Sequence, residues 1–230
     1  MDDLSTGLHV LRVFIGPDGR GGNPLGVYLD GSSIPSADRQ EVARELGYSE
    51  TVFVDEVADG AANVEIFTPG TELPFAGHPT VGTSWLLRQS GRELDRLVCK
   101  AGDVVAWEEG EWAWIRARAD WVHAMTMVKY ATTDEVEELE GPPPGSGSYY
   151  AWAWIDEKAG ELRSRYFASG FGIREDEATG AAAVVMGDML GRAVTIRQGV
   201  GSELQVRPGP DGTVDVGGRV VVERTPASAE

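Results

Sequence analysis

The fold is decided by the stretch Glu72-Leu-Pro-Phe-Ala-Gly-His78-Pro79-Thr80, which leads directly from ionisable side chains into an apolar helix. The second half of the chain repeats this design in Gly172-Ile-Arg-Glu-Asp176-Glu-Ala-Thr179-Gly180. The first N–H groups of a helix have no partner within the helix and lie at the positive end of its dipole. Two such helix N-termini that face each other bind a small anion such as a carboxylate. The two stretches therefore predict one active site built from two halves of the chain.

Short strands and a few helices are predicted around these two stretches. Runs rich in β-branched and aromatic residues, separated by Gly, Pro or Asp turns, predict strands at 8–14, 25–29, 51–54, 63–67, 104–107 and 112–116. Helices are predicted at 36–46, with Ser36 as N-cap and Gly47 as the stop, at 80–89, and at 179–190. The last two are nearly apolar all round and should be buried. These features predict an α+β fold of two mostly antiparallel sheets, each curled around one central helix.

The middle of the chain contains the predicted boundary between two domains. Residues 135–147 are charged and then rich in Pro and Gly, which is typical of an exposed loop. The boundary is set slightly earlier, near Arg118, because the strand at 112–116 completes the first half. This gives domains of 1–118 and 119–230, whose shared order of strands, charged loop and apolar helix favours an internal duplication.

The composition excludes several classes of partner. The formal net charge is -17, from 37 acidic and 20 basic residues. Such a chain repels nucleic acid and anionic membranes, and no basic cluster offsets the charge. The N-terminus lacks the features of a signal peptide, and no apolar stretch approaches the roughly 20 residues that span a bilayer. We therefore expect a cytoplasmic protein that binds neither nucleic acid nor membrane.

Cysteine and histidine are too sparse for a structural metal site. Cys99 is the only cysteine, so no intrachain disulfide is predicted. The three histidines, His9, His78 and His123, have no second Cys or His at metal-ligand spacing, and no metal site is predicted. Because Cys99 lies in an apolar strand pattern, a buried inert thiol is favoured over a nucleophile.

Two further motifs precede the first helix motif, namely Gly22-Asn23-Pro24-Leu-Gly-Val and Tyr48-Ser49-Glu50-Thr51-Val-Phe-Val. Together with 66–80 and 172–180, they follow the order of the signatures of the PhzF-like phenazine-biosynthesis proteins, and the chain resembles that family. The resemblance covers most of the first half, and the catalytic turn and C-terminal strands of the second. It implies a diaminopimelate-epimerase-like fold, in which two pseudo-symmetric domains enclose the site in the cleft between them.

The resemblance also implies an activity and its residues. Glu50 would move a proton on a small carboxylate-bearing substrate, assisted by His78 and Asp176, without a cofactor. Related epimerases and proline racemases use two cysteines, which a chain with one cysteine cannot supply. Candidates for binding the substrate are Asn23, Gly77, Thr80, Thr179, Gly180 and Ala181.

Each proposed catalytic residue also has a plainer interpretation. Glu50 is in phase with Val52 and Val54 along a strand, so it points inward if they do, and burial would raise its pKa toward neutrality. The alternative is a surface glutamate. His78 could be a helix-entry histidine held by a backbone hydrogen bond, although a helix N-terminus disfavours its protonation. Asp176 could cap the following helix.

The chain departs from the family pattern at several positions. It is shorter than typical members, with the loss between about residues 118 and 163. Ala181 stands where a serine is usual, Glu177 replaces a proline, and 199–203 replaces a Gly-Arg-Pro type of turn. We predict a cofactor-independent isomerase or epimerase that acts as a homodimer. The alternatives are a non-catalytic small-molecule binding protein, and a lyase or pericyclic-type catalyst on the same scaffold.

Overall fold

A computed structural model describes residues 7–168 and 173–223; Gly172 of the second helix motif lies outside these ranges. Within them the chain forms fifteen strands. The strands are β1 Leu8–Ile15, β2 Gly21–Tyr28, β3 Glu50–Ala58, β4 Ala61–Phe67, β5 Glu72–Leu73, β6 Arg96–Cys99, β7 Gly102–Glu109, β8 Trp112–Ala117, β9 Thr126–Lys129, β10 Ser148–Asp156, β11 Glu161–Ala168, β12 Ile173–Asp176, β13 Val194–Gln198, β14 Ser202–Pro208 and β15 Val214–Val222. The α-helices are α1 Arg39–Leu46, α2 Gly77–Gln89, α3 Thr133–Glu137 and α4 Gly180–Leu190.

Eight strands close into a ring around α2. They follow the order β1-β2-β3-β4-β6-β7-β8-β15, and β15 pairs back with β1. Helix α2 contacts seven of these eight strands and is buried on nearly all sides. An apolar helix is stable in this position because every face meets the inward side chains of a strand.

The sheet continues beyond the ring through the second half of the chain. From β15 it passes to β14, β13, β11, β10 and finally β9, while β12 pairs with β11. Helix α4 packs against β14 and β15. Most strand pairings are antiparallel, and the predicted α+β class is confirmed. The division into domains at residue 118 stays a prediction, although β15, from the second half, completes the ring formed by strands of the first.

The helix boundaries depart from the predicted ones at their N-termini. Helix α1 begins at Arg39, and Asp38 takes the N-cap position, so the assignment of Ser36 as N-cap is wrong. Helix α2 begins at Gly77 rather than at residue 80, because Pro79 in the first turn needs no N–H partner. At the C-termini, Gly47 follows α1 in the left-handed conformation, as predicted, with φ of 70°.

One expectation about the second half needs correction. The region 118–163 contains β9, β10 and the start of β11. The stretch 135–147, expected to be a loop, begins within α3. A capping box starts this helix: the Glu135 N–H donates to Thr132 Oγ1, and the Thr132 N–H donates to Glu135 Oε2. No helix in the described ranges is long and apolar enough to cross a membrane.

Arg39 fixes α1 to the ring. It is 3% exposed; its guanidinium donates to Asp55, Glu65 and the Gly31 carbonyl and lies over the Phe53 ring. We expect Arg39→Ala to lower the free energy of unfolding by about 2–4 kcal/mol, because the two carboxylates lose their buried partner. Urea unfolding measures this loss.

The matched control is Arg44→Ala on the same helix. Arg44 is exposed and pairs with Glu41 one turn away. Its removal should change the free energy of unfolding by less than about 0.5 kcal/mol. Equal effects of the two substitutions would contradict the anchoring role of Arg39.

Candidate active site

Glu50, His78 and Asp176 come together from three separate elements. Glu50 is the first residue of β3, His78 lies in the first turn of α2, and Asp176 ends β12. The His78 Nδ1 atom lies 3.5 Å from Glu50 Oε2, and the side chains are 4% and 16% exposed. Each carboxyl group is held near the imidazole by backbone that is already fixed in a strand.

Asn23 connects these elements. Its Nδ2 group donates to Asp176 Oδ1 at 2.7 Å and to the Ala178 carbonyl oxygen at 3.0 Å. Its Oδ1 atom accepts from Ser49 Oγ at 3.2 Å. The second Asp176 oxygen accepts from Thr179 Oγ1 at 2.6 Å. Asp176 is thereby oriented by side chains on both oxygens.

The N-termini of α2 and α4 abut at two glycines. A Cβ atom on Gly77 would lie 2.7 Å from the Ala181 nitrogen, and one on Gly180 would lie 2.7 Å from the His78 nitrogen. Ala76 and Thr179 occupy the N-cap positions, and neither side chain caps its helix. The first-turn N–H groups of both helices are therefore left without side-chain caps at one place.

A cavity lies beside this junction. It is lined by the predicted site residues Glu50, Asp176, Thr179 and Ala181, and by Thr68, Leu73, Phe75, Ala76, His123, Tyr166 and Ala168. Thr80 is placed elsewhere: its hydroxyl donates to the Ala76 and Gly77 carbonyl oxygens at 2.9 Å and is used within the helix. His123 and Tyr166 are lining residues that sequence reasoning missed. No motif marks either of them.

The comparison with known proteins identifies the family of this chain. The model of the phenazine biosynthesis-like protein family, PhzC-PhzF, matches residues 16–138, slightly more than half of the chain. The chain belongs to this family. A PhzF-family relative, the trans-2,3-dihydro-3-hydroxyanthranilate isomerase of Pseudomonas fluorescens, is 30% identical over 225 residues, which cover 78% of this chain and 81% of the relative. Several matching curated relatives are named isomerases, which places the chain in an enzyme family of that class.

Solved structures give the same fold. The PhzF-family protein of Bacillus anthracis superposes with a TM-score of 0.77 at 22% identity, covering 94% of this chain and 96% of that one. A predicted epimerase from Pseudomonas aeruginosa superposes with a TM-score of 0.72 at 24% identity. The match covers 96% of this chain and 98% of the epimerase. The expected PhzF-like, epimerase-like α+β fold is thus confirmed at the level of architecture.

Burial sets the protonation of the three central side chains of this PhzF-family member. Burial raises the pKa of Glu50 to about 7, with the Ser49 hydroxyl acting in the opposite direction. Burial, and then the nearby charge of Glu50, raises the pKa of Asp176 to about 6. Burial lowers the pKa of His78 to about 4, although Asp176 and the Pro24 carbonyl oppose this. Near neutral pH the imidazole is neutral and the two carboxyl groups readily take up a proton.

Two polar atoms of this cluster lack hydrogen-bond partners within the described part of the chain. These atoms are Glu50 Oε2 and His78 Nε2, and both are buried. A buried polar atom without a partner costs about 1–3 kcal/mol, so its presence needs an explanation. Glu50 lines the cavity and can meet a bound molecule there, whereas His78 is not among the described residues that line it.

Two departures from the PhzF family pattern are in direct contact. Glu177 accepts from the Val200 N–H at 2.9 Å and from Ser202 Oγ at 2.8 Å. Ser202 Oγ in turn accepts from the Gly22 N–H at 2.8 Å, next to Asn23. Glu177 and the turn at 199–203 thus join the loop after Asp176 to β2.

Metal-ligand groupings and the cysteine can also be placed. In residues 7–168 and 173–223, no three His, Cys, Asp or Glu side chains are grouped to hold a metal ion. Cys99 is 9% exposed, its thiol donates to the Gly102 carbonyl oxygen, and burial raises its pKa. A buried thiol with a raised pKa is a poor nucleophile, as the sequence predicted.

The raised pKa of Glu50 predicts how stability varies with pH. Because the folded-state pKa, about 7, exceeds the ordinary value of 4.5, the folded chain binds the proton more tightly. The stabilisation of the folded state by this proton is fully present below about pH 4 and is lost as the pH rises through 7. Glutamine does not titrate. We therefore expect the free energy of unfolding of Glu50→Gln, relative to that of wild type, to be about 1–3 kcal/mol higher at pH 8 than at pH 4.

Urea unfolding at both pH values measures this gain. The control is Glu41→Gln, since Glu41 is exposed beside Arg44 and its removal should give no comparable gain. A pH-independent difference between Glu50→Gln and wild type would contradict the burial of an uncharged Glu50 carboxyl.

Proposed function

We propose that this chain is a cofactor-independent isomerase that moves a proton on a small carboxylic acid. The observation that supports this best is the cluster of two buried carboxyl groups with raised pKa values, beside a neutral histidine and two uncapped helix N-termini. A carboxyl group with a pKa near the working pH serves as base and as acid in turn.

The helix N-termini would hold the substrate. Its carboxylate would accept hydrogen bonds from first-turn N–H groups of α2 and α4, where the helix dipoles favour negative charge. Gly77 and Gly180 let the backbone approach, while Asn23, Thr179 and Ala181 complete the binding residues. In this pose the carbon next to the carboxylate lies within the cavity that Glu50 lines.

Glu50 is the proposed base and acid. The Glu50 carboxylate takes a proton from carbon, and the electron pair of the broken C–H bond moves into the conjugated system of the acid. The proton returns at another carbon or on another face, from Glu50 or from Asp176, and no electrons leave the substrate. Neutral His78 relays a proton between the two carboxyl groups, and Asp176 serves as the second acid or orients the substrate.

The substrate class follows from the relatives. The Pseudomonas fluorescens relative is named for trans-2,3-dihydro-3-hydroxyanthranilate, a cyclic acid that has a hydroxyl group. The cavity of this chain has both polar and apolar walls, including Leu73, Phe75 and Ala168. We propose a small cyclic or unsaturated acid of this kind as substrate.

The wider organisation is part of the proposal. The two halves, 1–118 and 119–230, would be pseudo-symmetric domains with the site in the cleft between them. The abutting N-termini of α2, from the first half, and α4, from the second, support this division. The expected homodimer and cytoplasmic location stay predictions.

A second candidate function is a non-catalytic small-acid binding protein. Ala181 favours it, because this lining residue presents a methyl group where a serine hydroxyl was expected. The retained cluster of Glu50, His78 and Asp176 favours the enzyme.

Proton exchange in D2O decides between the two candidates. The protein is incubated with a panel of amino, hydroxy and cyclohexadiene carboxylic acids, and loss of C–H signals is followed by NMR. We expect at least one acid to exchange or isomerise. Binding shifts without exchange, across the panel, would favour the binding protein and contradict the isomerase.

A further inference from the structure

The cavity has a second polar end, formed by Tyr166 and His123. Tyr166 is 3% exposed, and its hydroxyl lies 3.0 Å from His123 Nε2. His123 is exposed at the rim of the cavity and also lies 3.4 Å, through Nε2, from Ser148 Oγ. Both Tyr166 and His123 line the same cavity as Glu50 and Asp176.

The strand pairing brings Tyr166 close to the reacting groups. Tyr166 on β11 is paired with Asp176 on β12, and directly opposite residues of antiparallel strands direct their side chains to one face. The charges of Asp176 and Glu50 both act on the pKa of the Tyr166 phenol. The Tyr166 side chain is therefore on the same face of the strand pair as Asp176, and it lines the cavity together with Asp176 and Glu50.

This polar end is uncharged. Burial raises the pKa of Tyr166 to about 12 and lowers that of His123, so both are neutral at physiological pH. Among the described residues that line the cavity, none is Lys or Arg. A second carboxylate here would meet two carboxyl groups and no cation, whereas a hydroxyl would meet a phenol. A phenol oxygen can accept a hydrogen bond as well as donate one.

We propose that Tyr166 and His123 form a specificity subsite that binds a neutral hydroxyl group of the substrate and disfavours a second carboxylate there. This inference rests on the proposed function, because it assumes that the substrate carboxylate lies at the helix N-termini. It adds that the hydroxyl substituent of the proposed acid is recognised through the Tyr166 oxygen, and that the acid has no second carboxylate at this position.

Binding of simple aromatic acids tests the subsite. Benzoate, the three hydroxybenzoates and the three benzenedicarboxylates are titrated by NMR at pH 7. Because its hydroxyl can form one hydrogen bond that benzoate cannot, the best hydroxybenzoate should bind wild type about 3- to 10-fold tighter than benzoate does. The benzenedicarboxylates should bind more weakly than benzoate.

Tyr166→Phe removes only the hydroxyl. The ratio of hydroxybenzoate to benzoate affinity should fall to about one, while benzoate affinity itself stays within about twofold. The matched control is Tyr150→Phe, because Tyr150 faces Tyr166 across β10 and β11 but donates to buried Ser164, outside the cavity lining. Tyr150→Phe should keep the wild-type ratio. His123→Ala, at the exposed rim, provides a second variant and should lower the ratio at least twofold.

The outcomes separate this inference from the proposed function. Three results would each overturn the subsite alone. The first is equal affinity of wild type for benzoate and the hydroxybenzoates, and the second is a wild-type preference for a hydroxyl that both variants keep. The third such result is tighter binding of a dicarboxylate than of benzoate. Failure of every acid to bind would overturn the carboxylate site and the subsite together. The D2O exchange experiment does not involve Tyr166 and tests the isomerase independently.

Discussion

Replacing Glu50 by Gln should lower the rate of proton exchange on the substrate by about 10²- to 10⁴-fold, the usual contribution of a general acid or base. The amide has nearly the same shape, but it cannot accept a proton from carbon. Carboxylate binding should stay within a few fold, because the proposed anion site consists of backbone N–H groups of α2 and α4. NMR exchange rates in D2O and titration with benzoate measure the two effects separately.

Glu72→Gln is the matched control for this substitution. Glu72 lies on β5, only a few residues before α2, and pairs with Lys100 rather than lining the cavity. We expect its exchange rate to stay within about twofold of wild type. Unchanged exchange in Glu50→Gln would remove Glu50 from the mechanism and leave Asp176 as the candidate base.

Gly77→Ala should abolish carboxylate binding and lower the free energy of unfolding by about 3 kcal/mol or more, at the upper end of the effect of overpacking. The added methyl would lie 2.7 Å from the Ala181 nitrogen and against the Gly180 backbone. Backbone at a helix start cannot move aside as the end of a flexible side chain can, so the two helix N-termini must separate. Urea unfolding and benzoate titration measure both losses.

Two further glycine substitutions complete this test. Gly180→Ala creates the reciprocal clash, 2.7 Å from the His78 nitrogen, and should have the same effects. Gly70→Ala is the control, because a Cβ atom there meets nothing within 4 Å. Wild-type binding and stability in both Gly77→Ala and Gly180→Ala would show that the helix junction does not bind the acid.

The sequence predicted the elements whose signals are local. The apolar runs that became α2 and α4, and the glycine Gly47 that ends α1, are defined within a few residues. The phase of Glu50 with Val52 and Val54 left a surface glutamate open as the alternative, and the side chain is in fact largely buried. Ser36 was misassigned because Asp38 is an equally good cap residue closer to the helix.

The remaining features depend on contacts between distant parts of the chain. The pairing of β1 with β15 joins residues such as Leu11 and Val222, which no local pattern relates. Tyr166 enters the site because β11 pairs with β12. The use of the Thr80 hydroxyl within its own helix was equally open, since a threonine in a helix either bonds a preceding carbonyl or turns outward.

Closure of the strand ring by β15 can occur only after all the other ring strands have been synthesised, because β15 follows them along the chain. Strands β1 and β8 are synthesised long before β15 and leave two open sheet edges on the nascent chain. Pairing over so long a separation is slow, because the loop must close before the contacts form. Strand β15 also lies beside β1, where the Glu223 N–H donates to the Val10 carbonyl oxygen. Until β15 pairs with both strands, the edges of β1 and β8 are open to pairing with other chains, so the last ring strand also protects the first half of the chain from aggregation.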